Sequence, residues 1–166
     1  MNSILIIDDE KEICESIKMI LEYEDYHVEY SNSAEDGLRK LKFDSFDTLL
    51  LDIQMPGMNG FEVLAQIKQT TPDMNVIMIS AFSSLENAVK ATKLGAFDFI
   101  EKPIDRDKLL ISVRNSIEKA GLLKENRKLK NKLEDKGKII GNSEAVKRIT
   151  ETINRVAKTE ARIMIS

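Results

Sequence analysis

Three carboxylates are the first residues from which chemistry can be argued. Asp8 and Asp9 follow the apolar run Ile4-Leu5-Ile6-Ile7, and Asp52 follows Leu49-Leu50-Leu51. If these runs are neighbouring strands, their carboxyl ends bring three acids into one crevice. Left unpaired, the acids repel and their charged forms are disfavoured. A hard divalent cation resolves this, and Mg²⁺ is usually held by one or two carboxylates with several waters. Two further positions converge on the same rim. Ser80, with Ala81, ends the run Val76-Ile77-Met78-Ile79, and Lys102 follows Phe97-Asp98-Phe99-Ile100-Glu101 and precedes Pro103. A hydroxyl and an ammonium facing a carboxylate cluster would neutralise and hydrogen-bond a phosphoryl group. Pro103 makes a cis peptide possible, which would aim Lys102 inward. Singly, each residue has a plainer reading: Asp8-Asp9 as a helix N-cap pair, Asp52 as a turn residue, Ser80 as a strand end, Lys102 as a solvated lysine. Their joint placement makes the site.

That placement depends on the elements. Short apolar runs without alternation suit strands covered on both faces. His27-Val28-Glu29-Tyr30 and Phe97-Asp98-Phe99-Ile100 alternate, as edge strands do. Helical spacing joins Ile13, Cys14, Ile17, Ile20 and Leu21, then Ala34, Leu38 and Leu41 after a Ser33 N-cap. Phe61, Leu64 and Ile67 form a third helix that stops at Pro72. Residues 84–94 form a weaker one, with Ala88, Val89 and Leu94, closed by Gly95. A fifth follows Asp105, a fair N-cap. The order β-α-β-α-β-α-β-α-β-α implies an α/β fold with a doubly wound five-stranded parallel sheet. With the second and fifth strands at the edges, the strand order is 2-1-3-4-5, and the ligand crevice lies at the carboxyl ends of strands 1 and 3.

The fifth helical pattern continues towards Glu134 as a long C-terminal linker helix. Leu109, Leu110, Val113 and Ile117 can pack on the sheet. Beyond them Leu122, Asn126, Leu129 and Leu133 form a short heptad seam with one polar member, the pattern of a dimer. Gly121 sits between the two patterns and costs ~1 kcal/mol against alanine in a helix, so it marks a bend or a register change. Gly137 ends the helix. Asn142 or Ser143 then caps a further helix carrying Val146, Ile149, Ile153 and Val156, and Ala161–Ile165 reads as a strand.

Charge follows the same division. The net charge is −3, but residues 1–117 hold 12 basic and 21 acidic side chains, 118–138 hold 8 and 4, and 139–166 hold 5 and 3. An acidic first part before a basic connector marks a boundary near residue 120 and argues against nucleic-acid binding by the first part. Apolar residues make up 42% of the chain, enough for a core. The single cysteine, Cys14, excludes an internal disulfide and reads as a core residue. With one His and one Cys a zinc site is improbable; His27 reads as exposed, and Met55 and Met58 as packing residues. No run approaches the ~20 apolar residues of a membrane helix, and the N-terminus lacks the features of a signal peptide. The expectation is a cytoplasmic protein without membrane contact.

Ile-Ile-Asp8-Asp9-Glu10, Leu51-Asp52-Ile53-Gln54-Met55-Pro56-Gly57-Met58-Asn59-Gly60, Ser80-Ala81 and Gly95-Ala96-Phe97-Asp98-Phe99-Ile100-Glu101-Lys102-Pro103 together resemble the receiver-domain signature of bacterial response regulators over about residues 1–120. The resemblance implies that Asp52 is the phosphoacceptor for a sensor histidine kinase. It implies Mg²⁺ on Asp9, Asp52 and the Gln54 main-chain carbonyl, with Asp8 assisting through water. Lys102 would contact the phosphoryl group, and Ser80 and Phe99 would be the switch hydroxyl and aromatic, variants of the commoner Thr and Tyr. Such a domain assists its own phosphorylation and dephosphorylation but is not an enzyme acting on an external substrate.

Residues 121–138 then read as a helical linker. Residues 139–166, with Ile140-Gly141-Asn142-Ser143-Glu144-Ala145 and Ile163-Met164-Ile165-Ser166, resemble the entry to the AAA+ domain of NtrC-type activators, including the NtrX branch, cut before the phosphate loop. No G-x-x-x-x-G-K-[ST] occurs in the chain, so it cannot bind ATP in that manner. In such regulators DNA and sigma-54 RNA polymerase are met only through domains this chain lacks. Two alternatives are a free-standing phosphorelay carrier, against which the long helix and tail speak, and an aspartate-nucleophile phosphatase, which needs a D-x-D motif where this chain has adjacent Asp8 and Asp9.

Overall fold

The unalternating apolar runs become the buried middle of a parallel sheet. The computed structural model describes residues 2–81 and 84–137, with side chains described as far as residue 130. The elements are β1 (Ser3–Ile7), α1 (Lys11–Glu22), β2 (His27–Ser31), α2 (Ala34–Phe43), β3 (Thr48–Asp52), α3 (Gly60–Thr70), β4 (Asn75–Ser80), α4 (Leu85–Lys93), β5 (Asp98–Glu101) and α5 (Arg106–Gly137). All strand pairs are parallel and the order is β2-β1-β3-β4-β5, as the sequence predicts.

Alternation along each strand divides the core in two. Leu5, Ile7, Leu49, Leu51, Val76 and Met78 face one side and pack with α2, α3 and Ala91 of α4. Ile4, Ile6, Leu50, Ile77, Ile79 and Ile100 face the other and pack with Cys14, Ile17 and Leu21 of α1 and with Leu109 and Val113 of α5. The central strands therefore present no polar face, because helices cover both.

Local chemistry fixes the element ends. Ser33 and Ser84 cap α2 and α4 by accepting from the amides of Asp36 and Asn87, and Asp105 accepts from Lys108 at the start of α5. Asn59 and Glu62 form a reciprocal capping box on α3, the N-x-x-E counterpart of the S/T-x-x-E pattern. Asp8-Asp9 are not an N-cap pair: the N-cap of α1 is Glu10, whose side chain makes no capping bond. Gly95 closes α4 with φ +87°, a conformation that costs other residues more.

A buried polar network fastens α5 to the sheet. Thr48 Oγ1 and Ser116 Oγ are 2.7 Å apart, and Asn75 Nδ2 donates to the Ser116 carbonyl at 2.7 Å. Ser112 Oγ donates to Asp98 Oδ2 at 2.6 Å. Leu109 and Val113 are buried while Leu110 and Ile117 are partly covered.

The chain divides into two units, Met1–Leu123 and Lys124–Ser166; of the second, residues 124–137 are described and helical. The helical assignment runs through Gly121 without a break, and a Cβ there would meet nothing within 4 Å. Leu122 and Leu129 of the expected seam are exposed in the single chain, as is Asn126. The side chain of Leu133 and the helix and strand expected within 142–165 lie outside the described residues. No described helix is long and apolar enough to cross a membrane.

Candidate functional site

The site lies at the carboxyl ends of β1, β3, β4 and β5. Asp52 is the last residue of β3 and only 2% exposed, and Asp8 follows β1 and is fully buried. One carboxylate oxygen from each of Asp8, Asp9 and Asp52 lies within 4.8 Å of the others, with Asp9 on the more open side. Lys102, after β5, reaches across: its Nζ stands 2.9 Å from Asp8 Oδ2, from Asp52 Oδ1 and from Glu10 Oε1. The Lys102–Pro103 peptide is cis.

Backbone groups set the orientation of the acids. The Gln54 amide donates to Asp52 Oδ2 at 2.7 Å, and the Glu10 amide donates to Asp8 Oδ1 at 2.9 Å. The Asp8 carbonyl accepts from Asn32 Nδ2 at 3.0 Å and from Cys14 Sγ at 3.3 Å. Behind Asp52 the chain needs a glycine: a Cβ on Gly60 would lie 2.1 Å from the Asp52 carbonyl oxygen and 2.8 Å from Ile53 Cα.

Burial dominates the electrostatics. It raises the Asp52 carboxyl to about 6; Lys102 opposes the rise and the Asp8 charge adds to it. Burial likewise holds Asp8 above the usual carboxylate range, against the pull of Lys102 and the Glu10 amide. For Lys102 burial pulls downward, but hydrogen bonds to Asp8, Asp52 and Glu10 outweigh it and leave the ammonium more basic than an ordinary lysine. Cys14 is pushed up to about 12 by burial and by the neighbouring Asp8, so it is an inert core thiol.

These residues fit a hard divalent cation. Asp8 Oδ2 is buried, and Lys102 Nζ pairs with it at 2.9 Å. Three carboxylates whose oxygens lie this close, with a single ammonium among them, are an all-oxygen donor set for Mg²⁺.

The other expected residues fall on the same rim. Ser80 ends β4, is 1% exposed, and its carbonyl accepts from the Lys102 amide at 2.7 Å. Phe99 on β5 is half-buried and packs against the core on the α3 side. Gln54 follows β3 and is exposed. Glu10, which sequence reasoning did not assign, joins the site through Lys102. Its adjacency to Asp8-Asp9 was a signal, but a contact across 92 residues needs the sheet order to be seen.

A doubly wound parallel sheet with a buried aspartate, two further acids and a lysine at its carboxyl-terminal rim defines a small acidic-pocket α/β module. The chain belongs to the response regulator receiver domain family, whose profile matches residues 4–114. It is 37% identical over 164 residues to a putative NtrX-like response regulator of Rickettsia bellii, covering 98% of this chain and 34% of that protein. It is 36% identical over 166 residues to the nitrogen assimilation regulatory protein NtrX of Azorhizobium caulinodans, covering 99% and 36% respectively. The crystal structure of NtrX from Brucella abortus superposes with a TM-score of 0.74 at 33% identity, over 99% of this chain and 36% of that one. A receiver domain from Clostridium thermocellum superposes at 0.70 with 37% identity, over 74% and 99%. The chain thus spans about a third of the length of the curated relatives it matches.

Proposed function

We propose that this chain is the phosphoacceptor and switch module of a two-component regulator, taking a phosphoryl group on Asp52 from the phosphohistidine of a sensor histidine kinase. The observation that carries this reading is Asp52 itself: a buried carboxylate at the end of a central strand, with Lys102 Nζ at 2.9 Å and Asp8 and Asp9 alongside. A carboxylate oxygen of Asp52 attacks phosphorus, an O–P bond forms, and the N–P bond breaks with its electron pair returning to the imidazole. Asp9, Asp52 and the Gln54 carbonyl would hold Mg²⁺, with Asp8 acting through water. When bound, Mg²⁺ supplies charge neutralisation on the transferring phosphoryl group. Lys102 orients and neutralises the same group from the other side.

Ser80 then hydrogen-bonds a phosphoryl oxygen, and Phe99 turns towards the space it leaves. The surface of α4, β5 and α5 is reshaped, a two-state change biased by local charge. Ala91 is the single buried residue of α4, which suits an element that must move. Phe99 offers no hydroxyl to that surface. In this reading residues 1–120 are the receiver, 121–138 a linker that dimerises through Leu122, Asn126, Leu129 and Leu133, and 139–166 the entry to an AAA+ domain. Contacts with DNA and sigma-54 RNA polymerase would belong to domains beyond this chain, and the whole would work in the cytoplasm. The test is uptake of one phosphoryl group from a small acyl phosphate, lost without Mg²⁺ and slowed in Lys102→Ala. Uptake indifferent to both changes would overturn the reading.

A further inference from the structure

We propose that Glu10 is a positioning residue for Lys102, holding its ammonium at the crevice mouth when Asp8 and Asp52 are engaged with a divalent cation. This rests on the phosphoacceptor reading for its purpose, though not for its geometry.

Lys102 is held by three carboxylates at equal distance, those of Asp8, Glu10 and Asp52. Two of these, Asp8 and Asp52, belong to the set able to hold a cation together with Asp9; Glu10 does not. A bound dication would draw on Asp52 directly and on Asp8 through water, and so weaken the hold of both on the ammonium. Of the three carboxylates that hold Lys102, Glu10 is the one that a bound cation would not share. The side chain of Glu10 is committed to that contact. It stands at the N-cap of α1 yet makes no capping bond, and it reaches instead to a lysine 92 residues away. It also covers Lys102 from the solvent side: its side chain is 58% exposed while that of Lys102 is 10% exposed. The contact ties the β1–α1 loop to the β5–α5 loop, the two segments that bring Asp9 and Lys102 to Asp52.

The plainer view is an exposed ion pair of little consequence, since such pairs contribute roughly 0–1 kcal/mol. The two views differ in how Lys102 responds to Mg²⁺. The experiment observes the Lys102 ammonium resonance by NMR, assigned by its disappearance in Lys102→Arg, in wild type and in Glu10→Gln. Without Mg²⁺ both proteins should show it, because Asp8 and Asp52 remain. At saturating Mg²⁺ the wild type should keep the resonance, and Glu10→Gln should lose it to fast solvent exchange. Persistence in Mg²⁺-loaded Glu10→Gln would overturn the proposal, as would loss in Mg²⁺-loaded wild type. Acceptance from acetyl phosphate in Mg²⁺ should be about two- to fivefold slower in Glu10→Gln, the range an ion pair of this exposure spans; compared at high salt, repulsion of the anionic donor is screened. A wild type that accepts no phosphoryl group while its resonance behaves as described would refute the phosphoacceptor reading and leave the positioning role standing.

Discussion

Replacing Asp52 by asparagine should make the metal-free chain more stable. A carboxyl held at about 6 instead of the ordinary 3.8 makes its ionised form cost about 3 kcal/mol in the folded chain at neutral pH, since each pH unit corresponds to about 1.4 kcal/mol. Asparagine keeps the shape and can still accept from the Gln54 amide, but carries no charge. The value of about 6 already contains the attraction to Lys102; part of the gain is lost because an asparagine that accepts from the Gln54 amide turns a donor NH₂ towards Lys102 Nζ, where Asp52 Oδ1 stood at 2.9 Å. The expected net is about 1–2 kcal/mol in favour of Asp52→Asn at about pH 7.5. The sign of the pH dependence follows from a folded pKa raised above the unfolded one. The folded chain binds the Asp52 proton more tightly, so the wild-type penalty is fully present above about pH 6 and gone below about pH 4. Urea unfolding in the presence of a chelator, at several pH values between these limits, measures the difference. An asparagine variant less stable than wild type at pH 7.5, or an advantage that does not shrink as pH falls, would refute the reasoning. Added Mg²⁺ should narrow the gap, because it stabilises the carboxylate cluster of the wild type.

Other outcomes follow from single contacts. Gly60→Ala should cost about 1–3 kcal/mol or more, because its Cβ would overlap the Asp52 main chain, an overpacking that rigid backbone cannot relieve; it should also slow phosphoryl acceptance. Gly121→Ala, with open space around the new Cβ, should raise stability by about 0.5–1 kcal/mol and leave acceptance unchanged, both read by urea unfolding and phosphodonor uptake. Ser116→Ala should cost about 1–3 kcal/mol in the same unfolding assay, because it strands the buried Thr48 hydroxyl without its partner. Leu129→Asp together with Leu133→Asp should sediment as a monomer yet still accept phosphate at Asp52; a persistent dimer would show that the seam is not the interface.

Strand order and the crevice were legible because two signals agree: apolar runs that cannot be amphipathic, and acids at the ends of exactly those runs that the topology makes neighbours. Lys102 and Ser80 could be placed on the rim by the same logic of strand ends. What could not be read was the pairing of polar groups across the fold. Thr48, Asn75 and Ser116 look like ordinary strand and helix residues in sequence, and only their burial against one another gives them a role. Glu10 carries no signal of its own in the sequence beyond its place after Asp8-Asp9; its contact arises only when β5 delivers Lys102. The need for glycine at position 60 is invisible in sequence; it is the closeness of α3 to the Asp52 backbone. The Asp8-Asp9 pair read as a possible helix cap, and the chain instead uses Asp8 to orient the Glu10 amide.

The proposed role of Asp52 as the carrier of the phosphoryl group can be read directly. After reaction with acetyl phosphate and Mg²⁺, borohydride reduction converts an aspartyl phosphate to a stable alcohol that peptide mass spectrometry can locate. The reduced residue should appear at position 52 alone, and nowhere in Asp52→Asn. A reduced residue at Asp8 or Asp9 in the wild type, or undiminished labelling of the asparagine variant, would contradict it.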